Sequence, residues 1–431
     1  MISQTELDFT TPPGTGHKPR RTGGADLAAE LAAFREFGTA TRRLQTSLEH
    51  GGQTLNVPTY VNEFWTARQR QASSLHEISY LACFKPQLPR FFIERLTQPG
   101  DVVYDPFMGR GTTLVEAALL GRTPWGCDVN PLSQVMAGGR LAPPALEEVK
   151  SRLDMLSLND HADEPDDLLV FYHPKTLRAL SSLKKYFQTR RAAGQLDALD
   201  LWLEMVCLNR LTGHSPGFFS VRTMPPNQAV SVKSQFKINQ RLQQVPPERD
   251  VKKIILKKSR QLLGDVTADI RETLARVRPR VRLVTGAADS TSALPAGSVK
   301  LVVTSPPFLD VVDYATDNWL RCWFAGLDAH SLPITTPKSL DAWKEAMTAV
   351  FKELARVLKP GGHVAFEVGE VRGGKIRLEE AVLPCGVAAG LNPELVLIND
   401  QEFTKTANCW GVDNNRKGTN TNRIVLFQKP V

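Results

Sequence analysis

The sequence predicts an α/β fold, an open and doubly wound sheet interrupted by a long helical insertion. At residues 102–104 an apolar run enters a glycine-rich turn and then a helix, and at 299–303 a second apolar run stops at Pro306 and Pro307. Both patterns are typical of strands whose carboxyl ends carry functional turns. About 190 residues separate the two turns, which is more than a compact sheet needs between them.

The first turn has the properties of a ligand-binding loop. Residues 105–113 read Asp-Pro-Phe-Met-Gly-Arg-Gly-Thr-Thr and lead into a helical pattern. Gly109 and Gly111 allow the backbone to approach a ligand closely, and the first amides of the helix would face that ligand. Ordinary tight turns share such a pattern. The next predicted strand ends in Asp128, which suits the two hydroxyls of a ribose or caps the following helix.

The second turn, residues 304–308, reads Thr-Ser-Pro-Pro-Phe. Its prolines fix their φ angles and donate no backbone hydrogen bonds, so the strand ends in a stiff turn at the edge where open α/β sheets bind ligands. The hydroxyl of Ser305 and the ring of Phe308 suit a planar amine, because acceptors can hold the amino hydrogens while the aromatic face covers the ring. A proline turn that merely ends a strand accounts for the same residues.

Together the two turns resemble the motifs of the amino-methylating DNA methyltransferases that use S-adenosyl-L-methionine. Residues 105–113 resemble the cofactor loop of that family, and residues 304–308 resemble its catalytic tetrapeptide with a preceding threonine. Further similarities occur at 76–89, 286–290, 358–368, 403–410 and 420–426. The resemblance implies a Rossmann-like class I methyltransferase sheet, with a largely helical and basic DNA-recognition module inserted in it.

The resemblance also implies the roles of individual residues. Asp128 is expected to bind the ribose of the cofactor and Asp289 its adenine. The methionine side of the cofactor is expected to contact Phe84, Asp105, Phe107, Gly109, Gly111, Thr112 and Thr113.

In the catalytic turn, the Ser305 side chain and the Pro306 carbonyl would accept the amino protons of the substrate. Pro307 would fix the turn, and Phe308 would stack on a base extruded from the duplex. This chemistry requires no metal.

The methylated atom is predicted less directly. Serine rather than aspartate at position 305, together with Asp313, Tyr314, Trp319 and Trp323, resembles the cytosine-N4 branch. The motif order, with a long insert between cofactor loop and tetrapeptide, is more familiar in the adenine-modifying group. We therefore expect site-specific methylation of N4 of a flipped-out cytosine in duplex DNA, with N6 of adenine as the alternative. An RNA N-methyltransferase and a catalytically silent nucleic-acid-binding module are further alternatives.

The net positive charge of the chain is concentrated in residues 210–260, within the insertion. From 210 to 260, eleven Lys or Arg residues stand against two acidic residues, a local net charge of +9, whereas the whole chain carries +8. Such a regional basic field is expected where a protein contacts a phosphate backbone, although charge runs are usually solvated helix faces. The candidate DNA-binding residues are Arg222, Lys233, Lys237, Arg241, Lys252 and Lys253.

The predicted organisation has four parts. Residues 1–58 form a partly flexible extension with a helix at 25–44, and 59–145 form the first part of the catalytic domain. Residues 146–275 form the inserted recognition region, and 276–431 complete the catalytic domain.

The remaining features exclude several classes of protein. Hydrophobic content of 42% is ordinary for a globular chain, no apolar run is long enough to cross a bilayer, and no signal-like segment opens the sequence, so a cytoplasmic protein is expected. Six cysteines without a Cys-x-x-Cys pair predict neither a zinc site nor a disulfide framework. Cys385 lacks the surroundings that a covalent cysteine mechanism would need. A cognate restriction endonuclease is expected by family analogy only.

Overall fold

The computed structural model describes residues 24–66, 72–80, 84–159, 164–223, 229–307, 314–333, 337, 339–371, 376–400 and 421–431. Within these ranges, the strands form a nine-stranded sheet and a separate two-stranded ribbon. The strands are β1 (Arg42–His50), β2 (Gln53–Asn62), β3 (Val102–Asp105), β4 (Thr123–Asp128), β5 (Arg282–Thr285), β6 (Val299–Thr304), β7 (Leu358–Val368), β8 (Glu370–Val371), β9 (Ile376–Arg377), β10 (Asn392–Asp400) and β11 (Thr421–Gln428).

The α-helices lie on both faces of the large sheet and in the insertion. None in the described ranges is both long and apolar enough to span a bilayer. The helices are α1 (Gly24–Ala33), α2 (Gln87–Leu96), α3 (Thr112–Leu119), α4 (Leu132–Leu141), α5 (Leu146–Met155), α6 (Pro174–Ala192), α7 (Ala198–Arg210), α8 (Val232–Leu242), α9 (Val251–Leu262), α10 (Ala268–Val277), α11 (Tyr314–Ala325), α12 (Leu340–Val357) and α13 (Leu378–Ala388).

The strand order of the large sheet is β1-β2-β10-β11-β7-β6-β3-β4-β5. Strands β7, β6, β3, β4 and β5 are parallel, and β11 is antiparallel to both of its neighbours. The chain runs outward from β3 to β5 on one side and from β6 to β7 on the other, so the strand order reverses between β3 and β6. Open α/β sheets bind ligands at such a switch point. The arrangement confirms the predicted Rossmann-like α/β class.

The central strands are apolar because both of their faces are covered. Along β6, Val302 packs in a core cluster with helices α12 and α13, whereas Val303 packs in another cluster with α2. Alternate residues of a strand point to opposite faces, so a strand covered on both sides has a continuous apolar sequence. That requirement accounts for the valine-rich run that precedes the proline turn.

The inserted helices share a core with the helices of the sheet. Trp202 of α7 lies in one apolar cluster with Met136 of α4 and Leu320 of α11. Helices α4 and α7 approach closely at Gly139, where a Cβ atom would lie 2.9 Å from the carbonyl oxygen of Leu201. The orientation of the insertion relative to the sheet is therefore set by packing.

The amino-terminal region differs from the predicted helix at 25–44. Helix α1 ends at Ala33, and a β-hairpin begins at Arg42 and turns at Gly51 and Gly52, both of which have positive φ. Strand β2 pairs in parallel with β10, so the hairpin extends the sheet. The domain boundary expected after residue 58 falls inside β2. The pairing partner lies more than 300 residues away in the sequence, which a local helical pattern cannot reveal.

Candidate functional site

A cavity of about 270 Å³ lies at the carboxyl ends of β3, β4, β5 and β6. Both motif turns contribute to its walls, together with the loops after β4 and β5 and one side of α12. The lining residues include Tyr80, Pro106, Phe107, Gly109, Asp128, Asn130, Ala288, Asp289, Ser305, Pro307, Trp343, Met347 and Val350. The cavity therefore combines an acidic side, a glycine-containing loop, the proline turn and an apolar wall.

Asp128 connects the first turn to the end of β4. Its Oδ2 accepts a hydrogen bond from the Gly109 amide at 2.8 Å, and its Oδ1 accepts one from the Asn130 amide at 2.8 Å. Burial raises the pKa of this carboxyl. The Asn130 side chain accepts a hydrogen bond from the amide of Leu132, the first residue of α4.

The two glycines of the loop are needed for different reasons. Both have positive φ, +47° at Gly109 and +78° at Gly111. A Cβ atom at Gly111 would lie 2.7 Å from the Cβ of Ala137, whereas at Gly109 the nearest atom would be 3.7 Å away, on Tyr80. Gly111 therefore permits α3 to pack against α4, and Gly109 keeps the loop backbone open toward the cavity.

Asp105 lies behind the cavity and is only 1% exposed. Its Oδ1 accepts hydrogen bonds from the Thr304 hydroxyl at 2.6 Å and from the Phe107 amide at 3.1 Å. Burial raises the pKa of Asp105 to about 7, although these hydrogen bonds oppose the shift. The buried Asp105 carboxyl thus connects the two motif turns on the side that faces the protein interior.

Thr112 and Thr113 are also turned into the protein. The Thr113 hydroxyl donates to the carbonyl of Val303 at 3.1 Å, which links α3 to β6. The Thr112 hydroxyl accepts from the Arg110 Nε at 3.0 Å. Both side chains are buried and hold the loop in place.

The segment before the loop contributes Tyr80 to the cavity wall, whereas the sequence had suggested Phe84. Phe84 packs partly buried against the apolar cluster that contains Phe91. The two aromatic residues lie four positions apart in a segment without regular periodicity. The expected contact of Phe84 with the cofactor stays a prediction, and Tyr80 is the described aromatic residue of this segment that lines the cavity.

In the second turn, Ser305 and Pro307 line the cavity and Pro306 is buried. The carbonyl of Pro307 accepts a hydrogen bond from Trp343 Nε1 at 3.0 Å, and Trp343 is fully buried in α12. This contact holds the turn against α12. Phe308 and Asp313 lie outside the described residues, as do residues 403–410.

Sequence reasoning missed Glu367, at the end of β7. Its Oε1 accepts a hydrogen bond from Asn422 Nδ2 at 2.6 Å, and the pairing of Thr304 with Phe366 places Glu367 next to Ser305 along the two strands. Glu367 is 7% exposed, and burial raises its pKa. The available signal was an acidic residue among the apolar residues at the carboxyl end of a strand.

The candidate DNA-binding residues differ in their surroundings. Lys233, Lys237 and Arg241 are exposed at intervals of four residues along α8, so they share one stripe of the helix, beside Phe236, which is 53% exposed. Lys252 is partly buried and donates from Nζ to the carbonyl of Leu156 at 2.8 Å. Arg222 and Lys253 are exposed.

Cys385 does not take part in this site. The thiol is 2% exposed, lies 3.3 Å from the carbonyl oxygen of Ala381 within α13, and has a pKa raised by burial. A buried thiol held in its neutral form is a poor nucleophile. The geometry therefore gives no support to a covalent cysteine mechanism.

Comparison with known proteins identifies related sequences. Residues 39–134 match a family model described as DNA methylase (N6_N4_Mtase). The chain is 32% identical over 123 residues to the type II methyltransferase M.MjaII of Methanocaldococcus jannaschii, covering 28% of this chain and 22% of the relative. It is 45% identical over 128 residues to the type II methyltransferase M.MvaI of Kocuria varians, covering 29% and 25%.

The chain spans only about a quarter of the length of each of these two curated relatives. Among solved structures, a TehB-like SAM-dependent methyltransferase from Corynebacterium glutamicum aligns with 79% of this chain and 86% of its own, at 9% identity and a TM-score of 0.30.

Proposed function

We propose that this chain, which belongs to the DNA amino-methyltransferase family, transfers a methyl group from S-adenosyl-L-methionine to an exocyclic amine of a DNA base. The observation that carries the proposal is the meeting of the two motif turns in one cavity. Gly109 and Ser305, almost 200 residues apart in the sequence, line the same cavity at the switch point of the sheet.

The residues of the cavity fit the nucleoside part of the cofactor. A carboxylate offers about four lone-pair positions, and Asp128 uses two of them for the amides of Gly109 and Asn130. Two positions remain for the two hydroxyls of a ribose. Asp289 lines the cavity and can accept from an adenine amino group, while Ala288, Met347 and Val350 provide apolar surface for the ring.

When bound, the cofactor supplies a methyl group on a positively charged sulfur, which is already activated for transfer. The task of the protein is to align and activate the amine. The lone pair of an exocyclic amine is delocalised into the ring, so acceptors must draw on the amino hydrogens. The Ser305 hydroxyl and the Pro306 carbonyl would be these acceptors. Trp343 would keep the turn in position through its hydrogen bond to the Pro307 carbonyl.

We further propose that the amine is N4 of cytosine. Serine at the first position of the tetrapeptide supports this choice through the family resemblance. N6 of adenine remains the second candidate, because the order of the motifs resembles the adenine-modifying group. The base would leave the duplex to reach the cavity, at a cost of a few kcal/mol.

Duplex DNA is proposed as the substrate because of the basic stripe formed by Lys233, Lys237 and Arg241. Their side chains are exposed and spaced along one side of α8. Such cations can neutralise successive phosphates and release counterions. Recognition of RNA would instead depend on stacking of unpaired bases.

Transfer of a labelled methyl group tests the proposal. Duplex DNA, denatured DNA and RNA are each incubated with the cofactor and the protein, and incorporation is measured. We expect incorporation into duplex DNA and its loss in Ser305→Ala, with cofactor affinity retained. Preferential labelling of RNA would favour an RNA methyltransferase. Cofactor binding without incorporation into any nucleic acid would contradict the enzyme function.

A further inference from the structure

We propose that one edge of the large sheet is a dimerisation surface, at which strand β1 pairs with the β1 strand of a second copy of this chain. In the described part of the chain, β1 is the last strand at one end of the sheet, and its outer edge has no paired strand. It is nine residues long, contains neither proline nor lysine, and pairs with β2 without a register shift. Native proteins usually interrupt or cover such an edge, because its free amide and carbonyl groups bind other strands.

The hairpin geometry shows which backbone groups of β1 face outward. Gly51 and Gly52 form a two-residue turn with positive φ at both positions, so the flanking residues His50 and Gln53 form a hydrogen-bonded pair. Hydrogen-bonded and non-hydrogen-bonded pairs alternate along antiparallel strands. The even-numbered residues of β1 therefore bond to β2, whereas the N–H and C=O groups of residues 43, 45, 47 and 49 point away from it.

The position of Pro58 supports this assignment independently. Gln45 lies opposite Pro58 in the register of the hairpin. Proline has no N–H group, so these two residues cannot exchange the two backbone hydrogen bonds of a hydrogen-bonded pair. The backbone groups of Gln45 consequently face the open edge of the sheet.

One antiparallel register joins all four outward-facing residues. If two copies of β1 are related by a two-fold axis at Thr46, Arg43 lies opposite Glu49 of the second copy, and Gln45 lies opposite Ser47. Each of these pairs can exchange two backbone hydrogen bonds, because both of its members face outward. Moving the axis to Gln45 or to Ser47 leaves Glu49 or Arg43, respectively, opposite a residue outside β1.

The side chains are complementary in the same register. Arg43 and Glu49 are exposed and carry opposite charges, and the two-fold axis places two such pairs across the interface. Leu44 is 54% exposed and would lie opposite Leu48, in a non-hydrogen-bonded pair, where side chains approach most closely. Cross-strand pairs of both kinds stabilise antiparallel sheets. These matches favour a second copy of this chain over an unrelated peptide as the partner strand.

The proposed interface lies away from the cavity. In the order of the large sheet, β2, β10, β11 and β7 separate β1 from β6. Pairing at β1 therefore leaves the cavity of each copy open. Dimerisation can thus be tested without reference to methyl transfer.

The first test measures the mass of the full-length protein by analytical ultracentrifugation over a range of concentrations. An interface built on one strand per copy is small, so we expect a reversible dimer whose population rises with concentration. Arg43→Glu and Glu49→Arg each place like charges opposite one another. Each should raise the dissociation constant by about tenfold, because the two-fold axis repeats the unfavourable pair. The double variant Arg43→Glu/Glu49→Arg should restore dimerisation.

Arg35→Glu is the matched control, because it reverses the charge of an exposed arginine outside β1. It changes the net charge as much as Arg43→Glu does and should dimerise like the wild type. Thermal unfolding of each variant verifies that the fold is intact.

Substitution by cysteine tests the register. At the two-fold axis, Thr46 lies opposite its own copy with Cα atoms about 4.5 Å apart, a separation that a disulfide can bridge. Thr46→Cys should therefore form a covalent dimer under mild oxidation. Gln45→Cys and Ser47→Cys should not, because in this register neither residue lies opposite its own copy. Wild-type protein treated in parallel accounts for the native cysteines.

A wild-type protein that is monomeric at every concentration would overturn the proposal and leave the proposed function unaffected. A dimer that forms equally well in the wild type and in Arg43→Glu would show that the copies meet at another surface. Cross-linking through Gln45→Cys instead of Thr46→Cys would contradict the register.

Discussion

The hydroxyl of Thr304 donates a 2.6 Å hydrogen bond to the carboxylate of Asp105, which ties the last residue of β6 to the last residue of β3. Both side chains are buried. The bond lies where the strand order reverses, directly between the glycine-containing loop and the proline turn. It therefore fixes the relative position of the two turns that line the cavity.

Replacement of Asp105 by Asn is expected to reduce the dependence of stability on pH. Burial raises the pKa of Asp105 from 3.8 to about 7, so between these values the folded state holds a proton that the unfolded state has released. Stability therefore falls as pH rises through this window, and an amide removes that loss. We expect Asp105→Asn to be the more stable protein at pH about 8, by about 1 kcal/mol or more, and to lose this advantage at pH about 4.

Thermal unfolding of both proteins at the two pH values measures this effect. Asp154→Asn, which changes an exposed carboxylate of α5, is the control. An identical difference in Tm at both pH values would show that Asp105 does not titrate as its burial implies.

Substitution of the two loop glycines should have different effects: loss of Gly111 should mainly lower the stability of the fold, and loss of Gly109 should mainly weaken cofactor binding. Gly111→Ala places a Cβ atom 2.7 Å from that of Ala137 at a φ of +78°, so we expect a loss of about 1–3 kcal/mol in the free energy of unfolding. Gly109→Ala has no such clash and should cost less stability, while weakening cofactor binding at the cavity. Denaturant unfolding and cofactor titration of both variants measure the two effects. Equal destabilisation by both would contradict the separate roles.

Asp128→Asn should weaken binding of the cofactor. The amide keeps one acceptor oxygen, but its NH₂ group must face either the Gly109 amide or the Asn130 amide, both of which are donors. We expect the cofactor affinity to fall at least about tenfold, or about 1.4 kcal/mol. Calorimetric titration measures the change against the Asp154→Asn control. Wild-type affinity in Asp128→Asn would remove Asp128 from the proposed ribose site.

Removal of the basic stripe should weaken DNA binding in a manner that depends on salt. In Lys233→Ala/Lys237→Ala/Arg241→Ala, loss of three phosphate contacts should reduce the slope of log affinity against log salt by roughly 2.7. Lys252→Ala should change the slope less, because Lys252 donates to the carbonyl of Leu156. Fluorescence anisotropy with a labelled duplex at several salt concentrations measures both slopes. An unchanged slope in the triple variant would exclude the α8 stripe from the DNA interface.

The sequence was informative where function depends on local backbone chemistry. The glycine loop, the proline turn and the acidic end of β4 could all be located, because Gly, Pro and Asp at strand ends restrict what the backbone can do. The sequence does not show, however, in which direction the side chains of these segments point. Asp105 and Thr113 face inward because β6 lies beside β3, and that neighbour is almost 200 residues away.

Other parts of the site had no local signal. Glu367 lies next to the proline turn only because β6 pairs with β7, and Trp343 reaches Pro307 only through the packing of α12. The hairpin of β1 and β2 likewise depends on β10. In each case a tertiary contact determines the role of the residue, and the periodicity of its own segment does not record that contact.

The central claim is that Ser305 directs methyl transfer to N4 of cytosine. Its most direct test is mass spectrometry of nucleosides from the DNA of a host that expresses either the wild-type chain or Ser305→Ala. We predict N4-methylcytosine with the wild-type chain and its absence with Ser305→Ala. N6-methyladenine in its place would contradict the assignment of the base, and the absence of any methylated base with an intact wild-type chain would contradict the proposed activity.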